Sequence, residues 1–255
     1  MIHNTAIIDP AAELASNVEV GPYVIIGRGV KIGNGTVIGP HVLVEADTVI
    51  GENNKIFHGA SIGGAPQDVS FKNEKTFVSI GDGNIIREYV TIHKATKEGK
   101  STVVGNNNYF MAYSHVGHDC IVGNGIVVTN GTGLSGHVIV EDFAVISAYV
   151  GIHQFSRIGS MAMVGALSRV NQDILPYTMV EGNPARTFGL NIVGLRRNGL
   201  DSKTRGELKK AYKLLCKKKL TIDNAISRIG DEVELLPEVK HLIAFVKETK
   251  RGIIR

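Results

Sequence analysis

The sequence predicts a mainly β protein: a parallel β-helix of hexapeptide repeats followed by a small α-helical C-terminal subdomain. Three observations carry this. An aliphatic side chain recurs at every sixth residue through most of the chain. A glycine often follows it directly, as at Gly21, Gly27, Gly33, Gly117 and Gly123. Towards the C-terminus this period gives way to helical spacing and a basic charge balance.

The repeat runs from Ile8 through Leu14, Val20 and Ile26 to Ile62, resumes at Ile80, Ile86 and Ile92, and resumes again from Val104 to Val170. Of 25 in-phase positions, 24 are Ile, Leu or Val, and the other is Phe110, so chance does not explain the pattern. Four residues after each aliphatic, small or β-branched side chains dominate, among them Val24, Thr36, Ser114, Cys120 and Thr132. A helix buries a residue every 3.6 positions and a simple strand every 2. A period of six suits a short strand plus a tight turn, with one large and one small residue pointing inward. The glycine is expected to supply turn dihedrals that a Cβ would hinder. Three such units close a coil of about 18 residues, and stacked coils pair their backbones about 4.8 Å apart.

Two stretches break phase. Asp68 and Glu74 fall in register between Ile62 and Ile80, and Glu98 does so between Ile92 and Val104. An unpaired charge does not sit in an aliphatic column. Residues 65–79 and 95–102 are therefore expected to leave the coil as loops, and long loops on a regular scaffold are frequently functional. The β-helix is assigned to residues 1–185, with Pro176 and Pro184 marking its exit. A helical subdomain is assigned to 190–255. Leu208, Ala211, Tyr212 and Leu215 form a helical stripe after an N-cap at Asp201 or Ser202. Thr221 opens a second helix, and Leu236 to Thr249, with Pro237 in the first turn, a third.

Composition excludes several classes. Two cysteines in 255 residues make no disulfide scaffold. No apolar run approaches the roughly 18 residues of a transmembrane helix, and Met1-Ile2-His3-Asn4 does not open a signal peptide, so a cytoplasmic protein is expected. The net charge of +4 divides unevenly, with 16 basic against 8 acidic residues from Leu195 onward. That basic segment is either a solvated helical face or a docking surface for an acidic partner. Nucleic acid is not expected, because no binding motif or interleaved aromatic pattern accompanies the charge.

Residues 18 apart stack where the repeat is unbroken. His118, Gly136 and Gln154 then form one column, Asp119, His137 and Phe155 the next, and Gly117, Ser135 and His153 a third. With His115 nearby, this wall gathers four histidines. An outward histidine can be merely solvated, and three histidines can hold zinc, although the pair His115-x2-His118 lacks the His-x4-His spacing of zinc-binding hexapeptide enzymes. The third reading is acid–base chemistry. Histidine ordinarily titrates near neutrality, and the adjacent Asp119 would orient it. No metal is expected. Cys120 occupies a small inward slot and is read as packing, not as a nucleophile. The glycines belong to the turns, so no phosphate-binding loop is inferred.

The run Ser114-His115-Val116-Gly117-His118-Asp119-Cys120, then Ser135-Gly136-His137, Ile152-His153-Gln154-Phe155, Gly182-Asn183-Pro184, Asn191-Ile192-Val193-Gly194-Leu195 and the closing Arg251-Gly252-Ile253-Ile254-Arg255 resemble the acyl-carrier-protein-dependent UDP-N-acetylglucosamine O-acyltransferases. These catalyse the first step of lipid A, and hence lipopolysaccharide, biosynthesis. The resemblance covers nearly the whole chain and implies a left-handed β-helix, which composition alone would not predict, since parallel crossovers are usually right-handed.

The resemblance also implies roles. His118 would be the general base, Asp119 its orienting carboxylate, and the Gly136 N–H an oxyanion donor. His115, His137, His153 and Gln154 would position the substrates, and Asp68 would contact the sugar. Asn191 and Arg197 would meet the nucleotide or the carrier arm. Ala166, with Met163 and Pro184, would limit acyl length, and the small Ala166 implies hydroxyacyl chains of roughly 12 to 16 carbons. No cofactor is implied beyond the phosphopantetheine arm of acyl carrier protein, the expected acidic partner. The expected assembly is a homotrimer with each site between two subunits. Ser70 stands where the family commonly has Lys, which leaves a 3-amino sugar nucleotide open as acceptor. Another hexapeptide transferase using acyl-CoA, or a non-catalytic scaffold, also remains open.

Overall fold

The computed structural model describes residues 1–218 and 220–255. The chain coils into a three-faced prism. The first face is a nine-stranded sheet from Ile7–Ile8 to Arg169–Val170, and the second an eight-stranded sheet from Glu13–Leu14 to Arg157–Ile158. The third begins at Glu19–Val20 and has ten strands. Apart from the hairpin that ends the third face, every strand pairs in parallel with the strand three further along the chain, as a left-handed β-helix requires. Most strands are two residues long, with the first side chain outward and the second, the in-phase aliphatic, inside. Ile26, Ile62, Val116, Leu134 and Ile152 are all buried in that column, and Phe110 replaces an aliphatic without leaving it.

Apart from Gly63, at φ 83°, the glycine after the aliphatic has a different cause from the one the sequence suggested. Left-handed φ falls two residues later, at Tyr23, Asp119, His137 and Phe155 among others. The glycine is required by close approach of the next coil: a Cβ on Gly117 would lie 2.7 Å from the Leu134 carbonyl oxygen. The small inward slot also holds something the repeat did not announce. Asn54, Asn84 and Asn108 are buried there as a ladder, each Oδ1 accepting the backbone N–H of the next coil's slot residue.

Both expected loops leave the prism, and both are shorter than expected. The strand Phe77–Ile80 already pairs with Thr48–Ile50, and Ser101–Val104 pairs with Phe77–Ile80, so the excursions are residues 65–76 and 94–100. Apolar alternation in Phe77-Val78-Ser79-Ile80 extends the strand upstream of the in-phase residue.

At the C-terminal end an antiparallel hairpin, Thr178–Gly182 with Ala185–Leu190, closes the third face. Four helices follow among the described residues: α1 (Ile192–Arg197), α2 (Ser202–Cys216), α3 (Ile222–Glu232) and α4 (Pro237–Lys247). Asp201 is the N-cap of α2, accepting from Thr204 N–H, and Thr221 caps α3. The six-residue α1 escaped the periodicity because it offers one buried side chain, Leu195. The tail joins the two cores: Ile254 packs into the β-helix core and Ile253 into the helical one. None of the described helices is long and apolar enough to cross a membrane.

Candidate active site

The edge between the first and second faces is built from three stacked turns. His115–Val116 pairs with Gly133–Leu134, which pairs with Gly151–Ile152, so residues 117–119, 135–137 and 153–155 follow in register. The turns are bonded to one another by His137 N–H to His118 O and Phe155 N–H to Gly136 O. Asp119, at φ 58°, turns its carboxylate back along the edge, where Oδ2 lies 2.8 Å from Nδ1 of His118. Their side chains are each 11% exposed. With Nδ1–H donating to that carboxylate, Nε2 keeps its lone pair.

His137 stands edge-on to His118 at 5.2 Å and stacks on Phe155 at 4.5 Å. Its Nε2 is 3.6 Å from Asp119 Oδ2. Burial lowers the His137 pKa against the pull of Asp119. Burial works to raise the Asp119 pKa, but donors from His118 and Thr96 outweigh it and hold the carboxyl below its usual range. Asp68, on the first loop, accepts both the backbone N–H and the hydroxyl of Ser70 on Oδ1, which lowers its pKa, with smaller contributions from His118 and His137 across the gap. Ser70, where the family commonly has Lys, thus fixes the carboxylate.

His115 lies one strand before the dyad. Its Nδ1 contacts the Thr91 hydroxyl at 2.7 Å, and its ring meets His93 at 4.8 Å. Burial, with the nearby His93 and His118, pulls its pKa down to about 4. His93 is a residue sequence reasoning missed. The second loop adds six residues to its coil, so Thr91 pairs with His115 at a spacing of 24, and His93 stacks beneath Gly117. Carrying the stack across the loop would have found it. Its buried Nδ1 has no partner among the described residues.

His153 and Gln154 are exposed on the same edge, with His153 Nδ1 against the Gln154 carbonyl. The other expected residues lie elsewhere in a single chain. Asn191 sits beside the edge between the second and third faces. Its Oδ1 caps α1 at Gly194 N–H, and its Nδ2 donates to Met161 O, so both polar ends are engaged internally. Arg197 is exposed at the end of α1. Met163 faces outward on the third face, Ala166 follows on its exposed edge, and Pro184 is in the hairpin turn. Cys120 is fully buried, and burial pushes its thiol up to about 12, which suits packing and not nucleophilic attack. His118, Asp119 and His137 place ligand atoms within 4.8 Å of one another, near enough to share a cation, and the 2.8 Å Nδ1–Oδ2 contact would leave Nε2 as the nitrogen of His118 available to one.

A prism of hexapeptide coils with a His–Asp pair on its outer edge, set against a backbone glycine, defines a transferase of the hexapeptide class. Residues 11–46 match the bacterial transferase hexapeptide (six repeats) family, and residues 173–254 match UDP N-acetylglucosamine O-acyltransferase, domain 2. An acyl-[acyl-carrier-protein]–UDP-N-acetylglucosamine O-acyltransferase of Thermodesulfovibrio yellowstonii is 50% identical over 100% of this chain and 99% of its own. The solved UDP-N-acetylglucosamine acyltransferase of Bacteroides fragilis superposes with a TM-score of 0.98 at 40% identity, covering 100% of both chains. That of Moraxella catarrhalis gives 0.96 at 40%, covering 100% of this chain and 99% of its own. The chain belongs to the acyl-[acyl-carrier-protein]–UDP-N-acetylglucosamine O-acyltransferase family, and it is an acyltransferase.

Proposed function

We propose that this enzyme moves a 3-hydroxyacyl group from acyl carrier protein to the 3-hydroxyl of UDP-N-acetylglucosamine, the first step of lipid A synthesis. The observation that carries the proposal is the 2.8 Å contact between His118 Nδ1 and Asp119, which leaves Nε2 basic beside Gly136. Nε2 takes the proton of the sugar hydroxyl as that oxygen attacks the thioester carbonyl. The tetrahedral oxyanion accepts from the Gly136 N–H, which donates to no carbonyl among the described residues. Collapse of the intermediate breaks the C–S bond, and His118 returns its proton to the departing phosphopantetheine thiolate. The products are the sugar ester and a free thiol. The anionic Asp119 stabilises the imidazolium between these two transfers. No further cofactor enters this scheme.

Asp68, His115, His137, His153 and Gln154 line the acceptor and acyl path along this edge. Arg197, Ala166, Met163 and Pro184, which lie away from this edge in their own chain, join the site from a neighbouring subunit, and Asn191, engaged internally, serves it by capping the helix that carries Arg197. A homotrimer is supported by the position of the site on an outer edge, where His153, Gln154 and Phe155 are exposed, and by exposed apolar side chains on the flat faces, such as Val49 and Ile121. Acyl carrier protein docks on the basic helical subdomain. A hollow of about 280 Å³ there has Phe188, Ile192 and Tyr212 in its wall and Lys209, Lys213 and Lys217 around it. The enzyme acts in the cytoplasm, where acyl carrier protein is found.

An acyl-transfer assay offering matched 3-hydroxyl and 3-amino sugar nucleotides tests the reading. Ester formation with the hydroxyl acceptor is expected; turnover confined to the amine, or to acyl-CoA donors, would overturn it.

A further inference from the structure

We propose that Thr96, on the second loop, is a positioning residue that holds the Asp119 carboxylate in the one orientation that serves His118. The proposal rests on the reading of His118 as the base.

The loop of residues 94–100 leaves the prism one coil below the dyad. Ala95 is fully buried and roots it, with its N–H directed at Phe77 O. The next residue turns both of its donors onto Asp119. The Thr96 N–H lies 3.2 Å from Oδ1 and 3.1 Å from Oδ2, and its hydroxyl donates to Oδ2 at 2.8 Å. Oδ2 is the same oxygen that meets His118 Nδ1. Just past the loop, on the strand Ser101–Val104, the fully buried Thr102 accepts the Asp119 backbone N–H at 2.8 Å. The loop and the strand that follows it thus grip the carboxylate and the backbone of Asp119.

The grip has a purpose that packing alone would not require. A carboxylate turns about its Cβ–Cγ bond in broad wells. Oδ2 has a competing neighbour in His137 Nε2, 3.6 Å away. A carboxylate swung towards His137 would release Nδ1 of His118 and with it the tautomer that leaves Nε2 basic. The Thr96 hydroxyl, donating to Oδ2, opposes that swing. The same loop also reaches the acceptor loop: Glu98 accepts from Lys75 N–H at 2.7 Å, and Gly99 N–H donates to Lys75 O at 2.9 Å. The segment carrying Asp68 and the segment fixing Asp119 are therefore braced against each other.

The test is Thr96→Val, which removes the hydroxyl but keeps the backbone donor and the side-chain shape. Its kcat should fall by about tenfold, the scale of one hydrogen bond to a charged group, with KM for both substrates within about twofold and an unchanged melting temperature. Thr96→Ser, which restores the hydroxyl, should recover most of the loss. A wild-type kcat in Thr96→Val, equal losses in the Val and Ser variants, or a loss carried by KM would each overturn the proposal. If Thr96→Val does not fold, Thr96→Ala takes its place with the same thresholds. His118→Ala and Asp119→Asn are measured alongside. Full activity in those two would show that the base reading fails, whereas their collapse beside an unaffected Thr96→Val would sink only the role of Thr96.

Discussion

Gly136 lies flat against the ring of His118: a Cβ on it would fall 2.3 Å from Cε1 and 2.4 Å from Nε2. The glycine is therefore demanded by the side chain of the coil below. Gly136→Ala must move either the ring or the turn. Misplacing a reacting group by an ångström costs up to about a hundredfold in rate. A fall in kcat of at least tenfold is expected, with Asp119 and the rest of the coil intact by circular dichroism. A variant with normal kcat would show that the ring works from another position.

The asparagine ladder carries stability. Asn84, fully buried, accepts from Asn108 N–H at 2.9 Å and donates to Gly105 O at 3.0 Å and Asn54 Oδ1 at 3.0 Å. Asn84→Ala would leave the Asn108 N–H and the Gly105 carbonyl unpaired, while Asn54 Oδ1 would keep the backbone N–H of residue 84, at a cost of about 3 kcal/mol. Denaturant unfolding of wild type and variant measures it. A difference below about 1 kcal/mol would mean that water or a shifted backbone satisfies those groups.

His115 should make stability depend on pH. Its pKa is near 6.5 when unfolded and about 4 when folded. Between those values the unfolded chain binds the proton and the folded chain does not, so stability falls as pH drops through that window. The loss should reach about 2 kcal/mol near pH 4.5, an order-of-magnitude figure from the size of the shift. His115→Gln should flatten the slope between pH 6.5 and 4.5 in denaturant melts. An unchanged slope would assign the acid sensitivity to other groups.

Ala166 is exposed on its edge, so a larger side chain there costs the fold little. If it limits acyl length, Ala166→Met should shift preference towards shorter chains, by about fourfold for each methylene excluded. Activity across a series of acyl–carrier chain lengths checks this. Identical length profiles would move the limit elsewhere, for instance to Met163 or Pro184.

The prism was legible because its rule is local: Ile26, Ile62, Val116 and Ile152 each recur at six and are each buried. The dyad column was legible for the same reason, since an unbroken repeat converts 18 residues into one coil. What remained hidden lies across the loops, where the count of 18 residues per coil fails. His93 and Thr96 reach the site only because the second loop changes the local coil length to 24 residues. The role of the turn glycines was misjudged, because a sequence shows the residue but not the neighbouring coil that excludes its Cβ. Asn191 carried a family signature, yet its side chain caps a six-residue helix whose existence a single buried leucine could not announce.

The central claim is that His118 takes the acceptor proton. Steady-state turnover of 3-hydroxyacyl–acyl carrier protein with UDP-N-acetylglucosamine, measured for wild type, His118→Ala and Cys120→Ser, tests it most directly. His118→Ala should lose a factor of about 10² or more in kcat while folding normally, and Cys120→Ser should lose stability at most. Wild-type turnover in His118→Ala, with activity abolished in Cys120→Ser, would contradict it.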